Sequence, residues 1–297
     1  MQVELFEPSL GALELGCEPY VVTQMQIGSP AVRAVMRDRA LADGSFDDTR
    51  FLGARAITVS IRMKHGSSCA ADAGDLQEMI DALVPYMSPR VRPTITWQLP
   101  GSADSRAAVV RGDSWPFILG GPKHQAIVLQ WVCPSGEIFA GGDTAQHCET
   151  IQPGTDTEKG RTYDESYADG GRGPYPPSPP IGARTILNPG NATAHWEATI
   201  FGAVTNPILT INGTAISFIR NGGLVLAAGQ TVVINTRERT ILRNGNPIDS
   251  AYDRVNYEAW SWGDIKLKPG PNTIRFDGTA LGTSATVIIC YTPTYLG

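Results

Sequence analysis

The sequence of 297 residues has few charged side chains and no long apolar run. Charged residues make up 18% of it, below the roughly 25% typical of soluble domains. The net charge of −5 is not the basic excess that phosphate neutralisation needs, so we expect no sequence-specific nucleic-acid binding. No apolar stretch approaches the roughly 18 residues of a membrane helix. Residues 1–7 are acidic and alternate like a strand, so we expect no membrane contact and no signal peptide.

Catalytic and metal-binding constellations are also missing. The cysteines show no C-x-x-C spacing, which predicts reduced thiols in a protein assembled in a cytoplasm. They are Cys17, Cys69, Cys133, Cys148 and Cys290. Cys133, His147 and Cys148 match no standard zinc spacing and lack a fourth ligand. The histidines form neither H-E-x-x-H nor a nucleophile motif. By elimination we expect no catalytic residues, no metal and no cofactor.

The chain does contain many turn formers, with 32 Gly and 22 Pro. Strand-like alternation recurs through residues 1–139, which predicts a mostly-β domain. One amphipathic helix is expected to pack on it, with Asp72 as N-cap and Pro85 at its end. The apolar positions that predict this helix are Leu76, Met79, Ile80, Leu83 and Val84.

Residues 31–50 combine charges of both signs with few residues suited to a core. We interpret this stretch as a long exposed loop or arm that links neighbouring subunits, because Arg–carboxylate pairs across an interface would order it. The candidate interface residues are Arg33, Arg37, Asp38, Arg39, Asp43, Asp47 and Arg50.

The composition changes again after residue 139. Residues 140–183 are poor in aliphatic side chains and end in a proline-rich run, which predicts an extended connecting segment. Residues 184–297 contain about ten short strands separated by turn signals, which predict an antiparallel β-sandwich able to fold alone. A strand at residues 257–262 would place Trp260 and Trp262 on one inward face, with Trp196 also inside.

Several motifs in the C-terminal half occur in an order that resembles the distal tail protein (Dit) family of long, non-contractile-tailed bacteriophages. The resemblance is strongest over residues 186–277, and upstream it includes Asp43-Gly44 and residues 53–58. The motifs are Asn188-Pro189-Gly190-Asn191-Ala192, Ile200-Phe201-Gly202, Asn206-Pro207, residues 234–241 (INTRERTI) and residues 267–274 (LKPGPNTI).

This resemblance implies both a fold and a function. The fold would be an N-terminal tail-tube-like β-barrel or sandwich with one helix, followed by a C-terminal galectin-like antiparallel β-sandwich. The function would be a structural, non-enzymatic one in the virion: a homo-oligomeric ring, commonly a hexamer, at the tail tip. The implied partners are the tail tube protein, the tape measure protein and a tail-tip or fibre protein, with the genome passing through the ring.

Two other functions are compatible with the same residues. The C-terminal sandwich could be a carbohydrate- or receptor-binding module, or the protein could be an enzyme acting on cell-wall sugars. A stable ring in solution would support the structural role, whereas a monomer with affinity for glycans would support the binding module.

Overall fold

The structure is a computed structural model that describes residues 1–16, 19–38, 45–64, 76–114, 117–118, 124–142, 145–153, 182–282 and 284–296. The described chain is mostly β, with one α-helix, α1 (Leu76–Leu83). It divides into two compact units. The first unit is Met1–Ala145 together with Thr294–Gly297, and the second is Gln146–Pro293.

The strands follow the turn signals of the sequence closely. The first twelve are β1 (Gln2–Glu7), β2 (Gly11–Leu15), β3 (Tyr20–Ile27), β4 (Val32–Asp38), β5 (Ser45–Leu52), β6 (Arg55–Lys64), β7 (Thr94–Gln98), β8 (Ser105–Val109), β9 (Arg111–Ser114), β10 (Phe117–Ile118), β11 (His124–Cys133) and β12 (Ile138–Ala140). The others are β13 (His147–Ile151), β14 (Ala183–Asn188), β15 (Trp196–Phe201), β16 (Val204–Thr205), β17 (Ile208–Ile211), β18 (Thr214–Ser217), β19 (Val225–Leu226), β20 (Thr231–Asn235), β21 (Thr240–Arg243), β22 (Gly270–Asp277), β23 (Ala280–Leu281), β24 (Thr286–Tyr291) and β25 (Thr294–Tyr295).

In the described part of the first unit, two larger antiparallel sheets share one hydrophobic core, and β4 and β5 form a separate two-stranded sheet. One sheet has the order β2-β1-β7-β8-β12-β25, and the other has β10-β11-β6-β3 with β9 also on β11. Alternation explains the core, because the odd-numbered residues 57–63 of β6 and 127–133 of β11 are all buried. Helix α1 adds Met79 and Leu83 to the same core and is followed by a 3-10 helix at Val84–Met87. The expected helix is therefore confirmed, while Asp72 lies outside the described residues.

The end of the chain returns to the first unit. Strand β25 pairs with β12. The buried Arg55 guanidinium donates from Nε to the Gly136 carbonyl at 2.8 Å and from Nη2 to the Leu296 carbonyl at 2.7 Å. Burial lowers the pKa of this guanidinium from its usual value, and the two carbonyls partly replace its lost hydration. The second unit is thus an insertion between β12 and β25.

The second unit is an antiparallel sandwich of a five-stranded sheet (β13-β24-β15-β20-β21) and a four-stranded sheet (β14-β22-β17-β18). A three-stranded sheet, β19-β16-β23, adds to it. Asn212-Gly213 and Asn244-Gly245 all have positive φ, as tight hairpin turns require, and these predicted turns are confirmed. Trp196 is 2% exposed, as predicted, and lies in a core that both larger sheets share.

The expected mostly-β, two-sandwich class is confirmed, and every sheet of the described residues is open, which favours a sandwich over a barrel in the first unit. The division of the chain differs from the expected ranges 1–139, 140–183 and 184–297. The supposed connecting segment contains β13, which pairs with β24, while residues 154–181 lie outside the described part. No helix in the described ranges has the length and apolarity to cross a membrane.

Candidate functional site

In the predicted arm at residues 31–50, the described residues form the two strands of a β-hairpin, β4 and β5, and not a loop. Strands β4 and β5 pair antiparallel, with a register shift between Ala34 and Met36. The prediction of a loop is therefore wrong for β4 and β5, which contain residue types that favour strands, among them Val32, Phe46 and Phe51. The hairpin is the natural continuation of the β3–β6 pair from which it emerges.

Five of the seven candidate interface residues lie on this hairpin: Arg33, Arg37 and Asp38 on β4, and Asp47 and Arg50 on β5. Arg39 and Asp43 lie outside the described residues. The register places an uncharged residue directly opposite each of the five. Residues directly opposite one another in this register therefore do not carry opposite charges.

The base of the hairpin is closely packed through glycines. The Ala31 N–H donates to the Ala54 carbonyl at 3.1 Å, and the Gly28 N–H donates to the Ala56 carbonyl at 2.8 Å. A Cβ on Gly53 would lie 2.9 Å from the Ala31 carbonyl oxygen, and one on Gly136 would lie 2.3 Å from the Gly53 oxygen. Both glycines permit an approach that a side chain would prevent, so the root of the arm is well defined.

The two strands of the arm form a sheet of their own. Within the described ranges neither β4 nor β5 pairs with a further strand. An isolated two-stranded hairpin is marginally stable in water, and its outer edges present unpaired backbone donors and acceptors. The hairpin is therefore suited to binding another chain, through its edges and through its charged residues.

The second candidate surface is an aromatic cluster on the second unit, which we define as Tyr252, Tyr257, Trp260 and Trp262. The predicted strand at residues 257–262 is wrong, because this stretch is a series of turns. Trp260 and Trp262 do not share a strand face but meet edge to face, with ring centroids 5.2 Å apart. The inward position of Trp260 is nevertheless confirmed, since it is 8% exposed.

A side-chain hydrogen bond explains why the backbone turns there. The Asp264 carboxylate accepts from the Ser261 N–H at 2.9 Å and from the Ser261 hydroxyl at 2.7 Å. The hydroxyl bond is the main reason that the pKa of Asp264 is lowered from its ordinary value. Asp and Ser stabilise turns in this way more readily than they stabilise a strand.

The rings of the aromatic cluster are largely engaged with one another. Tyr252 stacks on Tyr257 at 5.8 Å and on Trp262 at 6.2 Å between centroids. Tyr257 is the most exposed ring, at 40%, and the Arg220 guanidinium lies over it at 4.3 Å. The Trp260 indole N–H is buried and has no acceptor in the described part of the chain. Such a cluster chiefly holds the turns together, and it leaves little free ring surface on which a sugar could stack.

A loop beside this region projects an apolar side chain into solvent. Ile248, at the tip of the β21 turn, is 93% exposed. The loop around it is held by its own hydrogen bonds: the Asn246 side chain accepts from the Ile248 N–H at 3.1 Å, and the Asp249 carbonyl accepts from the Arg243 N–H at 2.9 Å. A rigid loop presenting one exposed isoleucine is a suitable anchor for a protein contact. In the sequence this anchor is recognisable as a single apolar residue among turn-forming residues, in the stretch 244–250 (NGNPIDS).

Comparison with solved structures identifies the architecture. A crystal structure of the SPP1 Dit protein, reported as a paradigm of the hub adsorption apparatus in phages that infect Gram-positive bacteria, covers 98% of this chain and 98% of its own. Its TM-score is 0.60 at 12% sequence identity. The chain has the Dit fold. A phage P2 baseplate structure in the activated, Ca-bound conformation covers 97% of each chain at 8% identity, with a TM-score of 0.46. No family model and no curated protein matches the sequence.

The motifs that resembled the Dit family occupy structural positions within the Dit fold. The Asn188 side chain closes its own turn, accepting from the Gly190 N–H at 3.0 Å and donating to the Ala192 carbonyl at 3.0 Å. Asn206 has a φ of 49°, and its side-chain oxygen accepts from the Leu224 N–H at 3.1 Å. These asparagines stabilise turns, so their part in the motifs is a structural one.

Asn272 is the most enclosed of these side chains, at 0% exposure. Its amide donates to the carbonyls of Lys268 at 2.7 Å and Gly270 at 2.9 Å. Its oxygen accepts from the Lys268 N–H at 2.8 Å and from the Asn212 side chain at 2.8 Å. One buried amide thus joins the β17–β18 turn to the start of β22, two segments of the Dit fold that are distant in sequence.

Other chemistry is limited in the described part of the chain. No group of three or more His, Cys, Asp or Glu lies close enough there to hold a metal ion.

Cys133 is buried in the first unit, whereas Cys148 forms a disulfide with Cys290 in the second. The expectation of reduced thiols is therefore wrong for this pair, because strand pairing brings together residues that are 142 positions apart.

Proposed function

We propose that the chain is a structural, non-enzymatic subunit of a bacteriophage tail tip. It forms a homo-oligomeric ring, a hexamer, that joins the tail tube to the tip proteins and lets the genome pass. The Dit fold over 98% of the chain is the observation that carries this proposal. Its partners are the tail tube protein, the tape measure protein and a tail-tip or fibre protein, and its location is the virion after assembly in the host cytoplasm.

The ring is made by the first unit, and the β4–β5 hairpin is the arm that reaches the neighbouring subunit. Two observations support this assignment: the arm has open edges among the described residues, and its register puts uncharged residues opposite its charges. Pairing with a neighbour would satisfy the backbone edges, and Arg–carboxylate contacts would fix the register. A hairpin that is marginal alone becomes stable only in the ring.

The mass of the purified protein in solution tests the ring. We expect a closed assembly of several subunits, and replacing both Arg37 and Arg39 with alanine should shift it toward monomers while each unit stays folded. Replacing Arg90 and Arg92 is the matched control, since these two arginines have the same spacing and lie on an exposed turn outside the arm. A monomeric native protein would refute the ring, and equal effects of the two double variants would refute the role of the arm.

The second unit serves as a docking platform for the tip proteins. The rigid Ile248 loop supports this role, because an exposed apolar side chain on a preorganised loop loses little entropy on binding. The carbohydrate-binding alternative is less well supported, because the exposed face of Tyr257 already carries Arg220. The cell-wall enzyme alternative has no constellation of catalytic side chains in the described ranges to support it.

A further inference from the structure

The disulfide joins two cysteines that lie near the beginning and the end of the second unit in sequence. The second unit begins at Gln146 and ends at Pro293. Cys148 is two residues after its beginning, and Cys290 is three residues before its end. The two cysteines are directly opposite in the β13–β24 register, with their Cα atoms 4.1 Å apart. The bond therefore joins the first strand of the second unit to its last.

Strand β13 is weakly held by other contacts. Among the described strands it lies at the edge of its sheet and pairs only with β24, and of its five side chains only Ile151 is buried. The Glu149–Arg184 ion pair, at 3.3 Å, is exposed and contributes little in water. His147 stacks on Tyr291 at 5.4 Å between ring centroids. An edge strand with one buried side chain unfolds locally more readily than a core strand. The disulfide is therefore the one covalent cross-link that holds β13 against β24.

The bond is also accessible without disturbing the core. Cys148 is exposed and Cys290 is half-buried. Its neighbours Ile289 and Tyr291 point inward and are 0% and 5% exposed. The two sulfur atoms therefore lie on the outer face of the sheet, where a small thiol or disulfide can reach them while the sandwich remains folded.

We propose that Cys148 and Cys290 form a redox-dependent clasp, a disulfide that joins the first strand of the second unit to its last when it is oxidised. A small-molecule disulfide closes it: one cysteine thiolate attacks that disulfide, forming a mixed disulfide and releasing one thiol. The second cysteine thiolate then attacks the protein sulfur and releases the other thiol. The two protein thiols lose two electrons and two protons, and the small disulfide is reduced to two thiols.

Closing the clasp has a mechanical consequence. Tension that enters at Gln146 and leaves at Pro293 is carried by the S–S bond, so the residues between the cysteines are shielded from it. The biological setting, reducing in the host and oxidising in the released virion, rests on the proposed function. The clasp itself does not, because it depends on strand pairing within one chain.

Intact mass and hydrogen exchange of the full-length protein test the clasp. Treatment with dithiothreitol should add two hydrogens per chain, and alkylation should map the new thiols to Cys148 and Cys290. The amides of residues 147–151 should then exchange at least about tenfold faster, while those of β6 and β11 in the first unit stay unchanged. The Cys148→Ser, Cys290→Ser double variant should exchange fast in either medium, whereas Cys133→Ala should keep the response.

Either of two results would overturn the proposal. One is alkylation of both cysteines in air-equilibrated native protein, which would mean that no bond forms. The other is unchanged exchange of residues 147–151 after complete reduction, which would mean that the bond does not hold the strand. Both experiments use wild-type protein and do not depend on ring formation. The clasp can therefore be refuted while the proposed function stands, and the proposed function can be refuted while the clasp stands.

Discussion

Removal of β13 from the second unit should cost most of its stability, and two fragments measure this. Residues 146–293 contain the complete unit, whereas residues 184–297 lack β13 and carry the four-residue return to the first unit. Both fragments retain Trp196, Trp260 and Trp262 as fluorescent reporters. We expect both to be soluble and β-type by circular dichroism, but with very different resistance to urea.

The size of the difference follows from two contributions. Closing a loop of 142 residues stabilises the folded state by up to about 5 kcal/mol in the chain-entropy treatment. Burial of Ile151 contributes a further ~2 kcal/mol. The sum is comparable with the whole stability of a typical domain, roughly 5–15 kcal/mol. With a urea dependence of about 2 kcal/mol per molar, the midpoint of the shorter fragment should be lower by about 3 M.

The assay is equilibrium urea unfolding followed by tryptophan fluorescence. Reducing the 146–293 fragment isolates the contribution of the disulfide, which should be the larger one. Midpoints that agree within about 0.5 M for the oxidised 146–293 fragment and the 184–297 fragment would refute the reasoning, because β13 and its disulfide would then add little to the stability of the sandwich. A cooperative 184–297 fragment with a lower midpoint would support it.

Three further predictions concern single sites. Asn272→Ala should lower the unfolding free energy of the second unit by about 2–4 kcal/mol in thermal or urea unfolding, because four buried hydrogen bonds are lost. Asn246→Ala, in an exposed loop, is the control and should lower it far less. Under the proposed function, Ile248→Asp should weaken binding to the tail-tip protein partner at least about tenfold by biolayer interferometry, with an unchanged circular dichroism spectrum; equal affinity would exclude this loop from the platform. A glycan array, or titration with host cell-wall polysaccharide, should detect no ligand tighter than millimolar, and a micromolar sugar lost in a folded Trp260→Ala variant would establish the carbohydrate-binding alternative.

Local patterns were sufficient wherever a segment buries one face. Helix α1 follows from apolar spacing, and β15 follows from the alternation of Trp196, Ala198 and Ile200. The Asn-Gly turns follow from the rarity of residues that accept positive φ. Each of these features depends on neighbours within a few positions, so the amino-acid sequence alone determines them.

The same kind of pattern was misleading where a tertiary contact decides the outcome. Residues 257–262 alternate like a strand. They nevertheless form a series of turns, because the Ser261–Asp264 hydrogen bonds and the stacked rings stabilise that conformation. The charges of residues 31–50 suggested a loop or arm without regular structure, although β4 and β5 of this stretch pair with each other as antiparallel strands.

Composition, turn chemistry and the order of motifs predicted a two-unit β-protein whose motifs resemble those of the Dit family, and the Dit fold is confirmed. Only the tertiary structure decided that the chain returns to its first unit, that β13 belongs to the second, and that Cys148 meets Cys290. The physical reason is sequence distance. A strand presents the same alternation whichever partner it takes, so pairing across 142 residues leaves no local trace and is selected only when the whole core assembles.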